Sequence, residues 1–147
     1  VRVQRHSCGA HGETAKSSKG DVLFTDVSLE TSFGRKKKIN CRYPFVTGAL
    51  GSTTIAAKYW DSFATGCALS GIPIVIGENV VGIDKKAEIK NGKISKAPEL
   101  DRRIDTYLRN YDGYGAILVQ LNVEDARNGV AEYVAEKYVD NVAIEQK

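Results

Sequence analysis

The residues with the clearest chemical potential lie at the ends of three apolar segments. Gly77-Glu78-Asn79 follows one apolar run, Gln120-Leu121-Asn122 ends a second, and Glu145-Gln146-Lys147 ends a third. Polar groups beside buried apolar strands cost free energy unless they have partners, so this recurrence favours a binding or catalytic site. Alternation along a strand places Glu145 and Lys147 on one face, where they could also form a simple structural ion pair.

A fourth apolar segment ends in Gly48-Ala49-Leu50-Gly51, and Ser52 follows with a side chain suited to cap a helix. Small residues before a helix can cradle a phosphate with backbone amides. The spacing is not that of a dinucleotide-binding G-x-G-x-x-G motif, and the residues favour a plain strand-to-helix turn over a phosphate site.

The cysteines and histidines do not predict a metal site. His6, Cys8 and His11 are three potential ligands, but Cys41 and Cys67 lie far from them and from each other. Zinc sites favour four ligands at closer paired spacing. Cys67 falls on an apolar helical face and is expected in the core. Cys41 as a nucleophile would need a histidine base, and both histidines are in the N-terminal arm.

The elements that would position the strand-end residues follow from periodicity. Alternation at Val27, Leu29 and Thr31 predicts a half-buried strand, and Tyr43–Thr47 predicts a buried one. Further buried strands are predicted over 72–76, 116–121 and 142–146. Asn91-Gly92 predicts a type I′ hairpin within 87–96.

Three helices are predicted between these strands. The first has an apolar face made by two adjacent rows, Ile55, Tyr59, Phe63 and Cys67 beside Ala56, Trp60 and Ala64. The second covers 99–110, with Arg102, Arg103 and Arg109 on its outer surface. The third follows Asn122, whose side chain can cap it, and presents Val130, Val134 and Tyr138.

The resulting order of elements predicts an α/β fold with parallel strands. Helical crossovers between consecutive strands fit either a doubly wound open sheet or about the first half of a (β/α)8 barrel. Residues 1–20 show no period and are expected to form an irregular arm before a domain over 21–147. Since the chain starts at Val1 and stops directly after a predicted strand, we expect it to be part of a longer protein.

Composition limits the class of protein. The chain has 147 residues, of which 42% are hydrophobic and 27% charged, which argues against disorder. No apolar run reaches the length of a membrane-spanning helix. The formal net charge of +3 and the isolated basic run 35–38 do not indicate nucleic-acid binding. Three dispersed cysteines and no secretory signal favour a reducing, cytoplasmic compartment.

Three stretches at the strand ends resemble the FMN-binding (β/α)8 domain of the glutamate synthase family, specifically the stand-alone glutamate-synthase-like proteins. Pro44–Ser52 is similar to the family's "PISIGAMSFG" segment, and Leu69–Glu78 is similar to its second strand with the "NTGEGG" exit. Tyr133–Lys147 is similar to "EYLVNADVLQIKVAQGAK" up to its first lysine. The resemblance covers residues 40–147.

This resemblance implies an FMN-dependent oxidoreductase that reduces 2-iminoglutarate, formed from 2-oxoglutarate and ammonia, to L-glutamate. It implies flavin contacts at Gly48-Ala49-Leu50-Gly51, Gln120 and Lys147, and catalytic roles for Glu78 and Lys147. A lysine cation there would stabilise negative charge on the reduced flavin near N1 and O2. The implied partners are a small-molecule substrate and an electron-donor protein or subunit. The resemblance is compatible with a homo-oligomer. An iron–sulfur cluster would belong to a part of the protein outside these residues or to a partner.

Two alternatives remain at this level. The segment Asp26–Thr31, with the proline-containing strand after it, also resembles 2-hydroxy-acid oxidases, which are FMN barrels with another substrate. A non-catalytic half-barrel that acts by association is the other alternative. Four parallel strands would leave two open edges, which favour association.

Overall fold

The fold is a mixed α/β arrangement around a four-stranded parallel sheet. The computed structural model describes residues 28–35, 37–138 and 142–146, with the backbone alone for 144–146. The strands are β1 (Thr31–Phe33), β2 (Ile39–Cys41), β3 (Ala49–Leu50), β4 (Ile74–Ile76), β5 (Glu88–Lys90), β6 (Lys93–Lys96), β7 (Ile117–Leu121) and β8 (Val142–Gln146). The helices are α1 (Thr54–Ser70), α2 (Val80–Ile83), α3 (Pro98–Leu108), α4 (Val123–Arg127) and α5 (Val130–Lys137).

The main sheet has its strands in chain order, β3-β4-β7-β8, and every neighbouring pair is parallel. The four described strands therefore show no reversal of order of the kind that defines a doubly wound sheet. Side chains of Ile74, Ile76, Ile117, Val119 and Leu121 share one apolar core with α1, α3 and α5. The crossover helices thus cover the same face of the sheet.

The opposite face of this sheet carries the alternate residues of each strand. Ala49 pairs with Val75, Val75 with Leu118, and Leu118 with Ala143, so these four side chains form one row. Val75 is buried, Leu118 and Ala143 are half-buried, and Ala49 is exposed. The parallel-sheet prediction is confirmed, and the four described strands form an open sheet.

Two antiparallel hairpins lie outside the main sheet. The β1–β2 hairpin lies near the amino ends of the parallel strands, since the Gly115 amide donates to Asn40 and the Arg42 amide donates to Gly71. The predicted hairpin is confirmed as β5–β6, with Asn91 at φ 51° and Gly92 at φ 73° as a type I′ turn requires. The strand predicted near Leu29 and Thr31 is present as β1 over Thr31–Phe33. The prediction that it is half-buried is wrong, because Leu29 and Thr31 are exposed.

The first parallel strand lies later than predicted. Tyr43, Phe45 and Val46 are exposed and in no strand, whereas Ala49 and Leu50 pair with β4. Pro73 has no N–H, so it cannot donate a strand hydrogen bond to the predicted segment Tyr43–Thr47. There the Thr47 amide donates to Pro73 at 3.3 Å and the Thr47 hydroxyl accepts from Val75 at 3.1 Å.

Helix α1 differs from its prediction in its cap and in the face it buries. Thr53, not Ser52, is the N-cap, and its hydroxyl accepts from the Ala56 amide at 3.2 Å. Ala56, Trp60, Ala64, Cys67 and Ala68 are buried, while the row Ile55, Tyr59 and Phe63 is exposed. The predicted third helix is two helices, because Gly129 with φ 76° separates α4 from α5.

Candidate functional site

The carboxyl ends of β3 and β4 approach so closely that only glycines fit there. A Cβ on Gly77 would lie 2.7 Å from the Cα and the nitrogen of Gly51, and a Cβ on Gly51 would lie 3.2 Å from the Glu78 carbonyl oxygen. The Gly77 amide donates to the Leu50 carbonyl at 3.1 Å. The two strand exits therefore meet as bare backbone, with no side chain between them.

The register of the sheet brings several sequence-predicted site residues to this edge. Leu50 pairs with Ile76 and Ile76 with Val119, so Gly51, Gly77 and Gln120 come next in adjacent strands. Gln120 in turn pairs with Glu145. Because Val119 and Leu121 face the helical core, the Gln120 side chain belongs to the opposite face.

The remaining predicted residues differ in exposure. Gly48 and Ala49 are exposed, Leu50 and Gly51 are half-buried, and no atom comes within 4 Å of a Cβ built on Gly48. Glu78, on the loop after β4, is half-buried. Lys147 lies outside the described residues, so the structure does not test its pairing with Glu145 or its place at the site.

A hydrogen-bonded cluster joins the loops that follow β4 and β7. The buried Asp125 carboxylate accepts from the amides of Asn79 at 3.1 Å and Asn122 at 3.3 Å. The Asn122 side chain donates to Asn79 at 2.7 Å and accepts from the Asp125 amide at 2.8 Å. The predicted capping role of Asn122 is confirmed. Since these groups satisfy one another, the cluster fixes the loops next to Gln120.

Arg103 is the residue of this region that the sequence analysis placed wrongly. It was predicted on the outer surface of α3, yet its relative exposure is 0%. Its guanidinium donates to the carbonyl oxygens of Leu50 at 3.0 Å and Gly51 at 2.9 Å, and to Glu99 at 2.9 Å. It also lies over the Trp60 ring, 5.0 Å from the centroid. Arg103 thus anchors the turn between β3 and α1 through two backbone carbonyl oxygens.

The position of Arg103 among the apolar residues of α3 could have predicted its burial. Arg103 lies between Leu100, Ile104 and Tyr107 on the helix surface, and all three are buried. Glu99 is one turn before it, as an intrahelical counter-charge. Burial raises the pKa of Glu99, but hydrogen bonds and charges from Arg102 and Arg103 lower it by more, so that the net pKa is lowered.

The buried cysteines do not have the surroundings of nucleophiles. Burial raises the pKa of both the Cys41 and the Cys67 thiol, and for Cys41 a hydrogen bond with the Gly115 backbone offsets this only partly. A raised pKa disfavours the reactive thiolate. Cys67 belongs to the apolar core, as predicted. The potential ligands His6, Cys8 and His11 lie outside the described residues, and within those residues no group of three His, Cys, Asp or Glu could hold a metal.

The site at this edge is therefore a floor of backbone, exposed at Gly48 and Ala49 and buried toward Gly77, with polar groups beside it. Gly48, Ala49 and the Gly51–Gly77 contact provide the floor, and Gln120 and Glu78 provide a hydrogen-bonding amide and a carboxylate. Among the described residues no atom lies within 4 Å of a Cβ built on Gly48, so a flat ring can approach the backbone at that point. In the part of the chain that the structure describes, no helix is long and apolar enough to cross a membrane.

Comparison with known proteins returns no relative. No protein-family model matches the sequence, and no curated protein and no solved structure matches it either.

Proposed function

We propose that the chain belongs to an FMN-dependent oxidoreductase of the glutamate synthase type, built on a (β/α)8 barrel. The observation that carries the proposal is the alignment of Gly51, Gly77 and Gln120 at the carboxyl edge of parallel strands in chain order. Active sites of (β/α)8 barrels lie at this edge. The resemblance of the same segments to the family's flavin-binding segments gives the cofactor and the reaction.

The described residues fit part of the flavin. Gly48 and Ala49 are exposed, with open space where a Cβ on Gly48 would lie, so their backbone can line a planar ring. The half-buried Gln120 offers an amide donor and a carbonyl acceptor to the polar edge of that ring. Lys147 is assigned to balance negative charge near N1 and O2. FMN-binding barrels of this type hold the phosphate after strands 7 and 8, so the proposal requires four further β/α units.

When bound, reduced FMN supplies the hydride that, with one proton, converts 2-iminoglutarate to L-glutamate. Glu78 is assigned to the substrate. A carboxylate on the loop after β4 can attract the positively charged iminium and orient it above the floor. The donor that re-reduces FMN is assigned to a separate protein or subunit, which would also carry any iron–sulfur cluster.

The proposal is tested by flavin content and by product. The 147 residues alone are expected to be inactive, so the protein is expressed together with the further β/α units that the proposal requires. Riboflavin is present in the medium, and flavin released by heat is identified by chromatography. With photoreduced FMN under nitrogen, we expect L-glutamate to form from 2-oxoglutarate only when ammonium is present. Lactate and glycolate are the controls in a separate assay with oxidised FMN, because reduction of the flavin by either one would indicate a 2-hydroxy-acid oxidase. A preparation without flavin and without glutamate formation contradicts the proposal.

A further inference from the structure

The peptide group that joins Glu78 to Asn79 is held on both sides. Its carbonyl oxygen, which belongs to Glu78, lies against Gly51, where a Cβ would be only 3.2 Å away. Its amide, which belongs to Asn79, donates to the Asp125 carboxylate at 3.1 Å. These two contacts fix the orientation of the peptide group, and they thereby restrict the direction in which the Glu78 side chain leaves the backbone.

Asn79 itself has a backbone conformation that few residues adopt. Its φ is 66° and its ψ is 9°, in the left-handed region, which asparagine tolerates better than most other residues with a side chain. Its side-chain oxygen accepts from the Asn122 side chain at 2.7 Å. Sparsely populated conformations persist where the surrounding contacts hold them, and they cluster at functional sites. The turn directly after Glu78 therefore depends on its contacts with the loop after β7.

Asp125 links the two loops as a buried charge. Only 6% of the residue is exposed, and no lysine or arginine of the described residues forms an ion pair with it. A buried carboxylate loses its hydration, so hydrogen bonds must replace the lost water. The amides of Asn79 and Asn122 both donate to one oxygen, Oδ2, at 3.1 and 3.3 Å. A single atom thus connects the loop after β4 to the loop after β7.

We propose that Asp125 is a positioning residue for the reaction proposed above, and that it acts through the peptide group between Glu78 and Asn79. The same carboxylate oxygen also holds the amide of Asn122, two residues after Gln120. The side chains assigned to the substrate and to the flavin are thereby kept in a fixed relative position. This inference rests on the proposed function, because Glu78 and Gln120 take their roles from it.

Single-turnover kinetics test the role in the FMN-containing protein with its further β/α units. The flavin is photoreduced under nitrogen, and its reoxidation by saturating 2-oxoglutarate and ammonium gives a rate constant that does not depend on the amount of folded protein. Asp125→Ala removes the shared acceptor and should lower this rate constant by about 10²-fold, the effect of misplacing a reacting group by about 1 Å. A merely structural role would lower the flavin content and leave the rate constant unchanged.

Asp125→Asn is the conservative variant. Its side-chain oxygen can still accept from both amides, and among the described residues Oδ1 of Asp125, which the new NH2 group would replace, forms no hydrogen bond. This variant should therefore restore most of the wild-type rate constant. A rate constant as low as that of Asp125→Ala would overturn the role of the shared acceptor.

Asp84→Ala is the matched control for a loss of stability. Asp84 is also a carboxylate that accepts from two backbone amides, those of Lys86 and Glu99, both at 2.9 Å. These contacts lie in the same crossover between β4 and α3 but outside residues 77–79 and 120–122. The variant should be less stable than the wild type and should keep its rate constant.

Amide hydrogen exchange, resolved by NMR, measures the contact without reference to activity. The Asn79 amide should be protected in the wild type and should lose protection in Asp125→Ala, while the Gly77 amide, which donates to Leu50, keeps it. An unprotected Asn79 amide in the wild type overturns the inference even where Asp125→Ala does not fold.

The two proposals fail in different ways. A wild type whose reduced flavin is not reoxidised by 2-oxoglutarate and ammonium contradicts the proposed function, and with it the role of Asp125 in that reaction. A wild type that forms L-glutamate, together with an unchanged rate constant in Asp125→Ala, overturns the positioning role alone.

Discussion

Arg103 donates a 2.9 Å hydrogen bond to the carbonyl oxygen of Gly51, a residue 52 positions earlier in the chain. One buried guanidinium thereby connects α3 to the strand exit where the candidate flavin floor begins. The Trp60 indole donates to the Arg103 carbonyl at 3.0 Å, so the contact also includes α1. The turn at Gly51 is thus held by a side chain of α3, that of Arg103, and α1 contacts the backbone of the same arginine.

Replacing Arg103 should destabilise the fold strongly. Arg103→Met keeps much of the volume but removes the donors to Leu50 and Gly51 and leaves Glu99 with Arg102 alone. Breaking a buried pair costs about 3 kcal/mol or more, so we expect a loss of this size in the free energy of unfolding in urea. Arg109→Met is the control, because Arg109 is the exposed C-cap residue of the same helix, and it should change stability by less than about 0.5 kcal/mol. Equal losses in the two variants would contradict the anchoring role.

The contact between Gly77 and Gly51 predicts a position where even one methyl group is excluded. In Gly77→Ala the new Cβ would meet backbone atoms at 2.7 Å, and neither strand exit can move without breaking its hydrogen bond. Such overpacking costs about 1–3 kcal/mol. Gly66→Ala should instead increase the stability of the fold. A Cβ there meets no atom within 4 Å and the residue is within α1, where alanine is favoured by about 0.5–1 kcal/mol. Thermal unfolding of both variants measures the contrast.

The lowered pKa of Glu99 predicts a specific loss of stability in acid. A carboxylate with a folded-state pKa below its unfolded value stabilises the fold above the unfolded pKa and ceases to do so as pH falls through the folded one. Wild-type stability should therefore fall as pH drops below about 4.5, the ordinary value for this group. Glu99→Gln should be less stable at neutral pH and should lose less below that point. Urea unfolding curves across this range give the two slopes, and parallel slopes would refute the role of Glu99.

The strand order and the hairpin could be predicted from the sequence because both depend on local signals. Apolar runs separated by helical periods gave β4, β7 and β8, and Asn91-Gly92 gave the turn between β5 and β6. The edge residues Gly77 and Gln120 followed directly, since parallel strands end at one edge. Their neighbour Gly51 follows β3, which lies later than the predicted strand. Opposite the predicted strand Pro73 has no N–H to donate, and the Val75 amide donates to the Thr47 hydroxyl instead of a backbone carbonyl.

The buried side of α1 could not be predicted, because two adjacent rows of the helix are apolar. The structure buries the row with Ala56 and Ala64, whose small side chains let the helix lie close to the sheet. The bulkier row with Tyr59 and Phe63 is left exposed. Arg103 was missed for a related reason. A charged residue was assigned to the surface, although its spacing placed it among buried neighbours and its partners are carbonyls far away in sequence.

The last prediction concerns Lys147, which lies outside the described residues and enters the proposed site from the sequence. If its ammonium balances charge near N1 and O2 of the flavin, Lys147→Ala should lower L-glutamate formation by about 10²-fold, the effect typical of losing one group that stabilises a developing anion. Flavin content should be largely retained, and the flavin reduction potential should become more negative because the anionic reduced form loses its counter-charge. Lys147→Arg keeps the cation and should restore the potential. Unchanged turnover and an unchanged flavin reduction potential in Lys147→Ala would contradict this electrostatic role. Flavin binding at the strand edge is tested separately by the flavin content of the purified protein.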